Sequence, residues 1–166
     1  MRLSKMGRSL RKSEIKDLRK KIQETLGLSW ILLPQGCKVE GFSLQEGEIF
    51  TVNGEPAFLV GKDQLAIPLL VLILRTDLPL PRVTVDMKAV PHICNGADVF
   101  RPGVKSIDPA TKADRIVVVS DEKNAKPICV GMSLMDADAM REAESGKVVR
   151  NLHYVGDKIW NFTKTL

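Results

Sequence analysis

The chain has 166 residues, 44% of them hydrophobic and 27% charged, with a formal net charge of +5. This is the composition of a soluble globular protein with enough apolar material for one ordinary domain or two small ones. The charge is concentrated: residues 1–26 hold nine Lys/Arg against three Asp/Glu, while the remainder is nearly neutral.

Three features narrow the classes further. Cys37, Cys94 and Cys129 are widely spaced and odd in number, which predicts reduced thiols in a cytoplasmic compartment rather than a disulfide framework. The first 26 residues contain no apolar stretch of the kind a secretory leader carries. The longest apolar run, LAIPLLVLIL at 65–74, is interrupted by Pro68 and is too short for a membrane span of about 20 residues. No membrane contact is expected.

In chain order, the first element is a helix over KSEIKDLRKKIQETL. Ser13 is a suitable N-cap, Ile15, Leu18, Ile22 and Leu26 form an apolar stripe, and Gly27 is placed to end the helix in the left-handed conformation. Lys16, Arg19, Lys20 and Lys21 lie off that stripe and make the helix a candidate contact for a polyanion. EIFTVNGEPAFLV reads as a hairpin turning at Asn53–Gly54. Pro68 opens a short apolar helix. RTDLPLPR then reads as a linker, which ends a first domain at residue 78 and starts a second at 82.

The second half begins with the alternating strand RVTVD. A short helix over MKAVPHIC stops at Gly96, and VFRPGV is a strand containing a turn. RIVVVSD and KPICVGMSL are apolar strands, with Gly131 marking a bulge or a close approach. A helix N-capped by Asp136 runs to Gly146, and VVRNLHYVGDKIWNF reads as a closing hairpin turning at Gly156–Asp157. Short, turn-rich strands of this kind suit a small mixed barrel rather than a doubly wound sheet.

Little here suggests chemistry. His92 and Cys94 lie two residues apart, but nothing completes a zinc set at usual spacing. Ser106, Ser120 and Ser133 lie in no nucleophile elbow, and neither a phosphate loop nor a dinucleotide fingerprint is present. The expectation is a protein that is not an enzyme and needs no cofactor or metal. Eight aromatic residues are also few for a sheet that stacks several bases.

The stretch VDMKAVPHICNGADVFRPGV resembles the signature of the PUA domain, an RNA-binding pseudobarrel. In that pattern a strand ends in Asp, a short helix leads to Gly-Ala, and an apolar strand runs into Pro-Gly. Val85, Asp86, Gly96, Ala97, Val99, Pro102 and Gly103 fall on it. ICVGMSLM resembles the family's later glycine-containing strand. GKVVRNLHYVGDKIW and FTVNGEPAFL resemble one subgroup: the malignant T-cell amplified sequence regulators, their yeast translation-machinery-associated relatives and the N-terminal half of ligatin.

The resemblance implies an α+β chain: a small α/β N-terminal domain over 1–78, then a PUA-type mixed β pseudobarrel with two short helices over 82–163. It implies that Gly96 and Ala97 offer bare backbone to RNA beside the Pro102–Gly103 turn. Lys88 and Arg101 would contact phosphate, and Lys147 and Arg150 would extend the basic edge. The physical grounds are general: glycine permits close approach, and cations fix register on phosphates without reading sequence. The implied function is translation, through the small ribosomal subunit and the tRNA acceptor end in initiation or recycling. The implied protein partner is of the density-regulated, initiation-factor-like type. An accessory RNA-binding subunit for tRNA or ribosomal RNA modification is the alternative, and a pure protein-interaction module is a third.

Overall fold

The structure is a computed structural model and describes residues 6–28 and 32–166. The chain divides into two compact units, Met1–Leu72 and Ile73–Thr165, with Leu166 grouped with the first. Among the described residues no helix is long and apolar enough to cross a membrane.

Among the described residues, the first unit is an antiparallel sheet with a long helix against it. Its strands are β1 (Arg8–Ser9), β2 (Val39–Ser43), β3 (Gly47–Val52), β4 (Glu55–Gly61) and β5 (Ala66–Pro68), hydrogen-bonded in that order. The β3–β4 hairpin turns where the sequence predicts, because Asn53 and Gly54 both take positive φ, at 51° and 86°. That is the two-residue turn whose twist matches the flanking strands. Helix α1 (Lys12–Leu26) buries Leu18 and Ile22 and packs on β5. Gly27 ends it at φ 68°, as expected.

Two local expectations in this unit are corrected. The N-cap of α1 is Arg11, not Ser13. The Glu14 carboxylate, at the third helical position, reaches back to accept from the backbone N–H of the cap residue Arg11 at 2.8 Å, the return bond of a capping box. Pro68 ends β5 rather than opening the helix. Helix α2 (Leu70–Arg75) starts two residues later, and the division between the units falls within it.

The second unit is a nearly closed β pseudobarrel. Its strands are β6 (Arg82–Val85), β7 (Val99–Phe100), β8 (Val104–Ile107), β9 (Ile116–Asp121), β10 (Pro127–Ser133) and β11 (Lys147–Tyr154). They run in the order β7-β11-β10-β9-β6-β8, antiparallel except for the parallel β6–β9 pair. All six residues of β9 are buried, which explains why residues 116–119 form an unbroken apolar run rather than an alternation. Val83, Val85, Ile93, Val117, Val119, Cys129, Met140 and Val149 belong to the core.

Gly131 combines both of its expected roles. A Cβ there would sit 2.4 Å from Val149 Cγ1 and 2.9 Å from the Arg150 carbonyl oxygen, closer than real atoms approach. At the same point the β10–β11 register shifts: Val130 pairs with His153 and Gly131 with Asn151, leaving Leu152 as an extra residue on β11. A bulge of this kind re-aims the side chains beside it.

Three short helices complete the unit: α3 (Val90–Ile93), α4 (Ala137–Glu142) and α5 (Lys158–Thr163). The sequence reading expects two. The third replaces the closing hairpin predicted at Gly156–Asp157. Asp157 caps α5, accepting from the backbone N–H of Trp160 at 2.7 Å, so a dipeptide that looks like a hairpin turn starts a helix. Helix α4 ends at Glu142, before Gly146, and the Asp136 carboxylate accepts from the Ala113 N–H instead of capping its own helix.

Candidate nucleic-acid interface

The candidate surface is built around the segment from Asp86 to Gly103, which joins β6 to β8. Asp86 starts it. Its backbone N–H donates to the Gly103 carbonyl at 2.9 Å, and its carboxylate accepts from the Ala89 N–H at 2.8 Å, which seats α3. Gly103 closes the loop against the same residues: a Cβ there would lie 3.2 Å from the Ala89 methyl. The Pro102–Gly103 dipeptide therefore forms a 3-10 turn, Arg101–Gly103, pressed onto the start of α3.

At the other end of α3, Gly96 takes φ 96°. Its N–H donates to the Ile93 carbonyl and the Ala97 N–H to the His92 carbonyl, both at 3.0 Å, which closes the helix end. Asn151, beside the bulge in β11, braces this turn. Its side-chain amide donates to the carbonyls of Ile93, at 3.0 Å, and Ala97, at 2.9 Å. The Asn151 backbone N–H in turn donates to the Asp98 carboxylate at 2.8 Å. The backbone polar groups of Ala97 are thus satisfied within the protein. What Gly96 offers outward is a surface without a side chain, backed by the Tyr154 ring, whose hydroxyl would sit 3.3 Å from an added Cβ.

The cations around this turn divide into free and committed ones. Lys88 is exposed at the start of α3. Lys147 is exposed at the start of β11 and pairs with Asp98 at 2.8 Å. Partial burial works to raise the Asp98 carboxyl, but the Lys147 bond and the Asn151 N–H outweigh it and hold the group below the ordinary carboxylate value. Arg150 is exposed, with its guanidinium resting on the Met132 thioether at 3.8 Å. Arg101 is different. Its guanidinium turns inward, donating from Nε to the Met140 carbonyl at 2.6 Å and, through longer contacts, to the carbonyls of Val104 and Arg141. The cation expected to meet phosphate instead holds the end of α4.

The basic helix of the first unit shows the same division. Lys16 and Lys20 are exposed. Arg19 donates to the carbonyls of Leu33 and Pro34, at 2.8 and 3.0 Å, and Lys21 donates to the Gln64 side chain.

Four residues of the surface escape the sequence reading. Asn151 and Asp98 brace the turn, but their 53-residue separation leaves no sequence signal. Lys126, in the β9–β10 turn, lies close enough to Cys94 for its charge to lower that thiol's pKa, against the larger raising effect of burial. It adds a cation at the C-terminal end of α3. Phe100 is 53% exposed on β7, outward because its neighbour Val99 points into the core. Two-residue alternation was the available signal, on a strand too short to display it.

Residues 81–155 match the PUA domain family. An uncharacterized protein of Methanocaldococcus jannaschii is 40% identical over 92% of this chain and 94% of its own length. Malignant T-cell-amplified sequence 1-A of Xenopus laevis is 33% identical over 69% of this chain. The chain belongs to the PUA-domain family of the malignant T-cell-amplified sequence and translation machinery-associated 20 proteins. The match spans 65% of the Xenopus protein's length. A crystal structure of a hypothetical protein from Pyrococcus horikoshii superposes with a TM-score of 0.81 and 34% identity, over 95% of this chain and 99% of that one. In this PUA family member the signature glycines fall where the packing above requires them, at Gly96 and Gly103.

Proposed function

We propose that this protein binds RNA in translation, engaging the small ribosomal subunit and the acceptor end of tRNA in initiation or recycling. Family membership supports an RNA-binding, translation-associated role. The observation that carries the site is the Gly96–Ala97 turn. It is bare of side chains outward, braced inward by Asn151, and flanked by the exposed cations Lys88, Lys147 and Arg150. A rigid bare turn admits a sugar-phosphate backbone closely, and dispersed cations hold it without reading base identity. On this reading the protein acts by binding in the cytoplasm, as an adaptor that performs no reaction. Lys16 and Lys20 of α1 offer a second phosphate contact, and an initiation-factor-like protein of the density-regulated type is the proposed partner.

The test is recovery of the tagged protein from native extract on a sucrose gradient, with sequencing of the RNA that stays bound. Small-subunit ribosomal RNA together with tRNA is the expected result. A narrow set of tRNAs without ribosomal RNA would replace this reading with an accessory role in RNA modification. No RNA at all would leave a protein-interaction module.

A further inference from the structure

Phe42, Phe50, Phe58 and Phe162 are each at most 8% exposed, whereas the fifth phenylalanine, Phe100, is 53% exposed. A lone exposed apolar residue means little by itself. The surroundings of Phe100 give it meaning. It lies on β7, which among the described residues is an edge strand hydrogen-bonded to β11 alone, and its register partner there is Lys147. Two residues on, the exposed Pro102 leads into Gly103, which packs on Ala89. Met87, 40% exposed, and Lys88 occupy the loop between Asp86 and Ala89, the two residues that touch Gly103. The ring therefore has Lys147 as its cross-strand partner, and Lys88 lies on the loop that packs against the Pro102–Gly103 turn two residues further on. Arg101, the residue after it, is bonded to the carbonyls of Met140 and Val104.

We propose that Phe100 is a stacking platform for one unpaired base of a single-stranded RNA whose neighbouring phosphates lie on Lys147 and Lys88. The inference rests on the RNA-binding reading of the same surface and adds to it the kind of RNA: unpaired at this point, with the base turned toward the protein. An aromatic face accepts any base, while the lysines select a polyanion. Charge complementarity favours nucleic acid over a protein partner, because the cross-strand neighbour of the ring is a cation rather than another apolar side chain. Lys147 can serve while still paired with Asp98, since an ammonium has three donors.

The experiment uses the full chain and a ten-nucleotide single-stranded RNA carrying 2-aminopurine, whose fluorescence falls when the base stacks. Wild type quenches the probe. Phe100→Leu keeps apolar bulk without a ring; it loses the quenching and binds about 5- to 150-fold more weakly, the range for one base–aromatic stack, with an unchanged salt slope. Phe100→Trp keeps both signals, which separates loss of the ring from loss of the fold. Salt-dependent binding with equal affinity and quenching in wild type and Phe100→Leu would overturn the stacking role alone. Quenching by wild type is required even if Phe100→Leu fails to fold. Absence of any salt-dependent binding by wild type would remove the RNA reading, and the platform with it.

Discussion

Arg101→Ala separates a phosphate contact from a structural clamp. The Nε–Met140 bond at 2.6 Å joins a charged donor to a carbonyl in the last turn of α4, where no intrahelical partner remains. A bond of this type contributes about 1.5–3 kcal/mol, and the two longer contacts at 3.3 and 3.4 Å add little. Truncation is expected to destabilise the second unit by about 2–3 kcal/mol, a fall in its melting temperature of roughly 8–24 °C. The companion measurement is RNA affinity against salt. A phosphate-contacting lysine removed from a single-strand complex flattens log K against log salt by about 0.7, so Lys88→Ala and Lys147→Ala should each do so. Arg101→Ala should leave the slope unchanged while the protein remains folded. A slope lowered by one contact with no loss of thermal stability would refute the assignment and return Arg101 to the phosphate path. Arg101→Lys sharpens the comparison. It keeps the charge but not the planar fork, so it should lose much of the stability and none of the slope.

Three further perturbations probe other joints of the same unit. Gly96→Val places a β-branched residue at φ 96° against the Tyr154 hydroxyl; it should lower stability by about 1–3 kcal/mol and weaken RNA binding at constant salt slope, and unaltered affinity in the folded variant would show that RNA does not approach this turn. Asp157 accepts from His153 and from the N–H groups of Tyr154 and Trp160. Burial works to raise its carboxyl, but these partners hold it below 3.8, so its stabilisation is full above about pH 4 and fades as pH falls through the lower folded value. Urea unfolding of Asp157→Asn in a Trp30→Phe background, read at Trp160, should show a deficit at pH 7 that shrinks toward pH 3; a constant deficit would argue against the ionic contribution. Cys129 is fully buried and its thiol is pushed far up by desolvation, whereas Cys94 is half-buried and raised less. Thiol labelling at pH 8 should therefore leave Cys129 unmodified until the protein unfolds, and native labelling of all three cysteines at one rate would contradict that burial.

Much of the architecture was legible because it rests on local chemistry. Asn53–Gly54 must turn, the unbroken apolar run IVVV at 116–119 must be buried on both faces, and Gly96 must end a helix. The misreadings share one cause. YVGDKIWNF carries a turn signal and an N-cap signal in the same Gly156–Asp157 pair, and only the tertiary partner decides between them. His153, buried on β11, supplies a third bond to the Asp157 carboxylate and fixes it as a cap. Arg101 and Arg19 show a related limit. Composition counts a cation but cannot say whether backbone carbonyls already occupy it, and both guanidinia reach carbonyls left open at chain bends.

This division bears on how the surface works. Asn151, Asp98, Gly103 and Arg101 are all spent on holding the loop between β6 and β8 in one shape. The groups left outward are then few: the bare face of Gly96, the ring of Phe100, the ammonium groups of Lys88 and Lys147, and the guanidinium of Arg150. A loop fixed before RNA arrives loses little entropy on binding, so even a few contacts give useful affinity. Those contacts carry no hydrogen-bond code for particular bases. On the proposed RNA-binding reading, the surface is matched to a feature shared by many RNAs, an accessible single-stranded segment, rather than to one sequence. An acceptor end common to all tRNAs has that character, and a unique hairpin does not. Affinity measured across single-stranded RNAs of different sequence should therefore vary by less than tenfold, while pairing the same segment into a duplex should remove the Phe100-dependent part of binding. Strong preference for one sequence would show that a base-reading contact exists beyond these residues.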